Sequence, residues 1–181
     1  MGSYIKAHAA LVQHLRSAGD GNVNTKVLVY VCSAMSYCGG HGDRLNGMLS
    51  AFVVALLSDR AFFIDSQRPV PLSMVLQPKP GVIDWRMFGS VAALSAGINL
   101  NDNLVAFEQD PRSVLDNQKD VLRLVSNQRL TAAALQASPQ RADALGLSLQ
   151  PRLHSQLFQT LFEPSPALRA RLAARRLPEG R

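Results

Sequence analysis

The densest run of chemistry-bearing residues is Tyr37-Cys-Gly-Gly-His-Gly-Asp-Arg-Leu-Asn-Gly47. Glycines at 39, 40 and 42 allow the main chain positive φ and a close approach to an anion such as a phosphate. His41 brings an imidazole, a group able to take a proton near neutral pH. Asp43 is suited to cap a helix that starts beside it, and Arg44 to reach an anion from the first turn. Such a set works where a strand hands over to a helix, because the first helical amides lack partners and the helix dipole favours negative charge. Gly40, Gly42, Asp43 and Arg44 are therefore the candidate phosphate-binding residues, and His41, taken by itself, reads as an exposed loop histidine.

The flanking sequence supplies that junction. Residues 27–31, within Lys26-Val-Leu-Val-Tyr-Val-Cys32, are a short apolar run rich in β-branched side chains and read as a buried strand. Leu45, Met48, Leu49, Phe52, Val53, Leu56 and Leu57 recur at three- and four-residue steps and form one helix face. Residues 61–64 give a second strand with Asp65 at its carboxyl end, so the segment is a β-α-β unit and its two strands are expected to be parallel.

The opening residues read as an amphipathic helix ending near Gly19. Residues 69–81, with four prolines, are irregular apart from one short turn over 72–76. Residues 104–107 and 121–125 are further strand candidates, and Asp110-Pro-Arg112 opens a helix between them. Residues 131–174 are helical by composition, broken at Pro139, Gly146 and Pro164-Ser-Pro166, with Leu153, Leu157, Leu161 and Phe162 as a core stripe. The predicted fold class is α/β, a Rossmann-like three-layer domain over residues 1–163 with a mostly parallel sheet, followed by a basic helical tail or the start of another domain over 164–181.

Composition narrows the function classes. The chain has 181 residues, 47% hydrophobic, enough for one globular core. Of the net charge of +6, Arg169, Arg171, Arg175, Arg176 and Arg181 against Glu179 alone place +4 after Pro164. That is an arginine tail rather than a basic face with interleaved aromatics, which argues against nucleic acid as a partner. Cys32 and Cys38 are too few for a disulfide framework and lack zinc-ligand spacing; they read as buried free thiols, with a local disulfide as the alternative. No metal is called for. Neither a signal peptide nor a membrane segment is visible, the longest apolar run, 48–57, being interrupted by Ser50.

Three readings of the glycine loop compete. It is a tight turn without a ligand, a relic in an interaction module, or the phosphate loop of a dinucleotide-binding oxidoreductase, for which Asp65 would serve as ribose carboxylate. Against the dinucleotide loop, its third glycine position falls on Leu45, and about seven residues separate the strand from Gly40. Asp65 more simply hydrogen-bonds the following loop. Trp85 reads as packing, Arg68 and Arg86 as surface charges, and His8, His14 and His154 as helix residues without ligand spacing.

Gly40-His-Gly-Asp-Arg-Leu-Asn-Gly47, then Leu49-Ser-Ala-Phe52, Ala55-Leu-Leu57 and Arg60-Ala-Phe-Phe-Ile-Asp65, resembles the first β-α-β unit of the fucosyltransferase superfamily, which includes the α-1,6, protein O-linked and plant xyloglucan enzymes. Leu157-Phe-Gln-Thr-Leu-Phe-Glu-Pro-Ser-Pro166 is similar to a segment that closes the first domain in some members. The likeness covers about forty residues strongly and about fifteen more weakly. It implies one half of a GT-B-type glycosyltransferase, metal-independent inverting transfer without a cofactor, and GDP-fucose or a related GDP-sugar as donor. It also implies a glycan or protein acceptor, a donor domain in cis or trans, and a Golgi or secretory lumen if the chain is part of a eukaryotic enzyme. His41 occupies the position that in one branch holds an acidic base. No His-Ile-Arg motif of the kind that opens the donor domain follows Pro166, so the chain is expected to be incomplete and inactive alone.

Overall fold

The computed structural model describes residues 1–17, 26–32, 39–87, 98–99, 111–118, 120–127 and 129–175. The predicted β-α-β unit is its centre: β1 (Val27–Cys32), α2 (His41–Ser58) and β2 (Ala61–Ser66), preceded by α1 (Gly2–Ser17). β1 and β2 pair in parallel from Val27 opposite Ala61 to Cys32 opposite Ser66. On the other side of β1 lies β5 (Val121–Leu124), also parallel, and β4 (Ile98–Asn99) pairs parallel with β5. The sheet order is β2-β1-β5-β4. Strands buried on both faces read as continuous apolar runs, which is why β1 has no polar alternation to betray a solvent face.

Helices cover both faces. Leu28, Tyr30, Phe62, Ile64, Leu122 and Leu124 pack on the side of α2, whereas Val27, Val29, Val31, Ala61 and Phe63 pack against Leu11, Val12 and Leu15 of α1. The period of two along each strand sorts the side chains between these layers. From Gly47 to Ser58 every residue of α2 is buried, because α4 (Thr131–Ala137) and α6 (Leu153–Leu161) cover the face it turns away from the sheet. Each large apolar side chain so enclosed contributes about 1.5–3 kcal/mol.

The remaining elements are a 3-10 turn at Leu72–Met74, β3 (Leu76–Pro78), α3 (Pro111–Leu115), α5 (Pro139–Ala144), β6 (Phe162–Pro164) and α7 (Pro166–Ala174). β3 and β6 form an antiparallel ribbon. Leu153, Leu157, Leu161 and Phe162 are core residues, as their spacing predicts. Pro111, Pro139 and Pro166 each stand first in a helix, where a missing N–H costs nothing. α7 buries none of its residues.

Two expectations change. The helix after the glycines begins at His41 rather than beside Asp43. Cys32 is disulfide-bonded rather than a free thiol; Cys38, the other cysteine of the sequence, lies outside the described residues. The strand expected at 104–107 also lies outside them, while the short β4 gave no pattern long enough to detect. Among the described residues no helix is long and apolar enough to cross a membrane.

Candidate anion-binding site

The start of α2 follows from its glycines and Asp43. Gly39 has φ +65°, and a Cβ there would stand 2.7 Å from Asp43 Oδ2, so both backbone and space demand glycine. Gly40 is the N-cap in extended conformation, φ −73° and ψ 178°. Asp43, at the third helical position, reaches back so that Gly40 N donates to its Oδ2 at 3.0 Å. This is the capping role expected of Asp43, exercised from inside the first turn. Gly42 is helical, with nothing within 4 Å of an added Cβ, and neither it nor Gly40 uses the positive φ expected of the loop. The reason is the earlier helix start: a glycine N-cap lets the helix form before Asp43.

Arg44 N closes the first turn on Gly40 O at 3.0 Å. Among the described residues the amides of His41, Gly42 and Asp43 have no hydrogen-bond acceptor, the ordinary state of a helix's first turn and a site of partial positive charge. His41 is exposed and also has no partner among the described residues. Arg44 is half-buried; its Nη1 donates to Arg68 O at 2.8 Å, tying α2 to the loop after β2. Its Nε is buried without an acceptor.

A pocket of about 270 Å3 opens beside this turn, lined by His41, Arg44, Met48, Ser66, Arg68 and Phe158 among others. Ser66 ends β2, so the pocket stands at the carboxyl edge of the parallel strands, where α/β sheets receive ligands. Its walls are mainly aliphatic, from Leu45, Val70, Leu72, Val75 and Leu76. Beneath α2 the Tyr30 ring approaches the helix at Gly47. Tyr30 is fully buried and its hydroxyl has no partner; burial pushes its pKa up to about 12, against the pull of the Arg44 charge. It therefore stays a protonated donor. Two buried polar atoms without partners, on Tyr30 and Arg44, coincide with the turn whose amides are open.

Gly40, His41, Gly42, Asp43 and Arg44 are thus brought together, with His41 and Arg44 on the pocket and Asp43 spent on the cap. Asp65 accepts from Gln67 Nε2 at 3.1 Å, the local bond expected of it. Trp85 is buried and donates to Leu161 O at 2.9 Å. Arg86 does more than decorate the surface, donating through Nε and Nη2 to Asp84 at 2.7 Å. His154 Nε2 lies 2.9 Å from Thr131 Oγ1, which in turn meets Ser50 Oγ at 3.2 Å, a polar tie among α6, α4 and α2.

Sequence reasoning missed Tyr30, Ser66 and Phe158, whose apolar or strand context gives no functional signal, and took Arg68 for a surface charge. Gly47 had a signal left unread: a glycine inside a helix pattern marks a close approach, and a Cβ there would lie 1.9 Å from Ser126 O. Among the described residues no group of histidine, cysteine, aspartate or glutamate could hold a metal ion. No protein-family model matches this sequence, and no curated protein matches it.

Proposed function

We propose that this chain is a glycosyltransferase domain of fucosyltransferase type, one half of a GT-B arrangement, whose α2 start faces the diphosphate of a GDP-sugar. The observation that carries the reading is the set of open amides at His41, Gly42 and Asp43 beside the Arg44 side chain, on a pocket that Arg68 also lines, at the carboxyl edge of a parallel sheet. The joint run from Gly40 to Asp65, which resembles the first unit of the fucosyltransferase superfamily, supports the sugar-nucleotide class over other anions.

In such a transfer an acceptor hydroxyl oxygen attacks the anomeric carbon, the bond from that carbon to the diphosphate oxygen breaks, and GDP leaves with the electron pair. His41 would take the hydroxyl proton, and the α2 amides with Arg44 would stabilise charge growing on the diphosphate. A donor-domain arginine would share that load, so the chain alone is expected to bind without turnover.

Thermal unfolding with GDP, GDP-fucose and NAD tests the reading. At one hundred times Kd a ligand specific for the native state adds about 2.7 kcal/mol, roughly 5–10 °C for a chain of this size. GDP and GDP-fucose should raise Tm and NAD should not. Arg44→Ala should lose most of the shift while its ligand-free Tm stays within about 3 °C of the parent. A shift from NAD alone would transfer the site to a dinucleotide, and no shift from any of the three would leave the turn without a nucleotide ligand.

A further inference from the structure

A pocket of about 500 Å3 opens where the chain enters α4 and α6, and it shares no lining residue with the pocket at the start of α2. Arg129, Gln150 and His154 supply polar surface, Leu149, Pro151 and Leu153 apolar surface, and no carboxylate among the described residues lines it. Arg129 is exposed and held from one side, its Nε donating to Asn46 Oδ1 of α2 at 3.2 Å. Its Nη1 and Nη2 make no hydrogen bond and no ion pair among the described residues. Leu149, 65% exposed, is the most exposed large apolar side chain among them. An anchored guanidinium with its outer edge open thus stands beside uncovered aliphatic surface.

His154 is held in place from behind. Leu130 N donates to Ser50 Oγ at 3.0 Å, Ser50 Oγ lies 3.2 Å from Thr131 Oγ1, and Thr131 Oγ1 lies 2.9 Å from His154 Nε2. Ser50 and Thr131 are buried, so this row of bonds fixes the ring from its inner side. Nδ1 takes no part in it. It has no partner among the described residues and is not one of their buried unpartnered atoms, so it is open to the pocket. Burial, and then the Arg129 charge, hold the ring's pKa below its ordinary value. At neutral pH Arg129 therefore carries the only formal charge among the described residues that line the pocket.

We propose that this pocket binds a monocarboxylate with an aliphatic body, its oxygens taken by the Arg129 Nη atoms and by His154 Nδ1–H, and its chain laid on Leu149, Pro151 and Leu153. The two Nη groups of a guanidinium present parallel donors that match a carboxylate. A neutral ring whose Nε2 accepts the Thr131 hydroxyl proton bears its own proton on Nδ1, where it adds a third donor. One fixed charge answers a monoanion. A phosphate monoester, with nearly two charges at this pH, would leave part of its charge unanswered, and an inorganic anion would leave the aliphatic wall uncovered. The site stands without the glycosyltransferase reading, since none of its residues belongs to the α2 turn.

A ligand-observed NMR titration with sodium hexanoate tests the site. Hexanoate should bind the parent protein saturably. 1-Hexanol, the same chain without the charge, should bind at least about tenfold more weakly, the scale of losing hydrogen bonds between charged groups. Inorganic phosphate at equal concentration should leave the hexanoate signal in place. Arg129→Gln should weaken hexanoate at least about tenfold, and His154→Gln, whose amide reproduces Nε2 but not Nδ1, about threefold or more. Arg152→Gln, an exposed arginine that does not line the pocket, should change binding by less than about twofold, because a charge in open solvent is screened. Arg129 and Arg152 are both exposed, so an unchanged Tm certifies those variants as folded, and the hexanol comparison needs no variant. No saturable binding, equal binding of hexanol, displacement by phosphate, undiminished binding to Arg129→Gln or His154→Gln, or an equal loss in Arg152→Gln each overturns the proposal.

Discussion

The two ends of α2 are built on opposite principles. At its carboxyl end long-range hydrogen bonds tie the chain together: Arg60, fully buried, donates to Asn117 O at 2.5 Å and Asp120 O at 3.3 Å, and Tyr4 donates to Arg60 O at 2.7 Å. Asp59 closes the helix in the left-handed conformation, its N–H on Ala55 O. At the amino end three amides and Arg44 Nε, and under the helix near Gly47 the Tyr30 hydroxyl, lack acceptors among the described residues. One helix therefore has an end that locks α1, β2 and the chain before β5 together, and an end left chemically open. Proteins satisfy buried polar groups where only stability is at stake, and the open amides at the amino end are what the proposed anion site rests on.

The sharpest way to break this contrast is in the middle of the helix. Gly47→Ala drives a Cβ to 1.9 Å from the Ser126 carbonyl, a backbone atom that cannot swing aside. The expected cost is about 3 kcal/mol or more, read as a large fall in the urea midpoint or as a failure to fold. Arg60→Leu tests the closed end. It removes the charged donor from the carbonyls of Asn117 and Asp120, the second still held by Val27 N, and should cost about 1.5–3 kcal/mol, leaving any GDP-dependent Tm shift intact because the open end is untouched.

A smaller effect is expected from acid. The pKa of His8 is held below 6.5 in the folded chain, chiefly by burial, so as pH falls through 6.5 the unfolded chain takes up a proton that the native chain refuses. Stability is complete above that value and should decline below it, with a slope no steeper than about 1.4 kcal/mol per pH unit for one proton. His154 is shifted in the same direction by burial and Arg129, and adds to the decline. Urea unfolding at pH 7 and pH 5 checks this, and His8→Gln should flatten the fall without abolishing it. The smallest effect is at the open end. Gly42→Ala meets nothing within 4 Å and replaces a helical glycine, so it should stabilise by roughly 0.5 kcal/mol with the GDP shift preserved. A destabilised variant would mean that Gly42 does not hold the helical conformation.

Much of this was legible beforehand. Continuous apolar runs announced β1 and β2, the three-and-four spacing announced α2, Pro111 announced the start of α3, and Pro139 and Pro164-Ser-Pro166 marked the breaks between the later helices, because these signals are local and each element is long enough or punctuated enough to express them. The site was legible as a segment: His41 and Arg44 do line one pocket. Its conformation was not. Three glycines in four positions promised a loop of positive φ, yet only Gly39 has it, because a capping contact between Gly40 and Asp43 is a cooperative event that composition does not encode. Arg68 is exposed, as a surface charge should be, but its backbone carbonyl accepts from Arg44, a contact between distant residues that the sequence does not signal.

The sequence by itself determined the alternation of strand and helix, the parallel β-α-β core and the address of the candidate anion-binding turn, since periodicity and punctuation are properties of neighbours along the chain. Only the tertiary structure decided which polar groups would be left without partners. Whether Tyr30, Arg44 and His8 find an acceptor or donor depends on elements brought up from elsewhere in the chain, while the long-range bonds of Arg60, Tyr4 and Trp85 close every position where such a partner arrives.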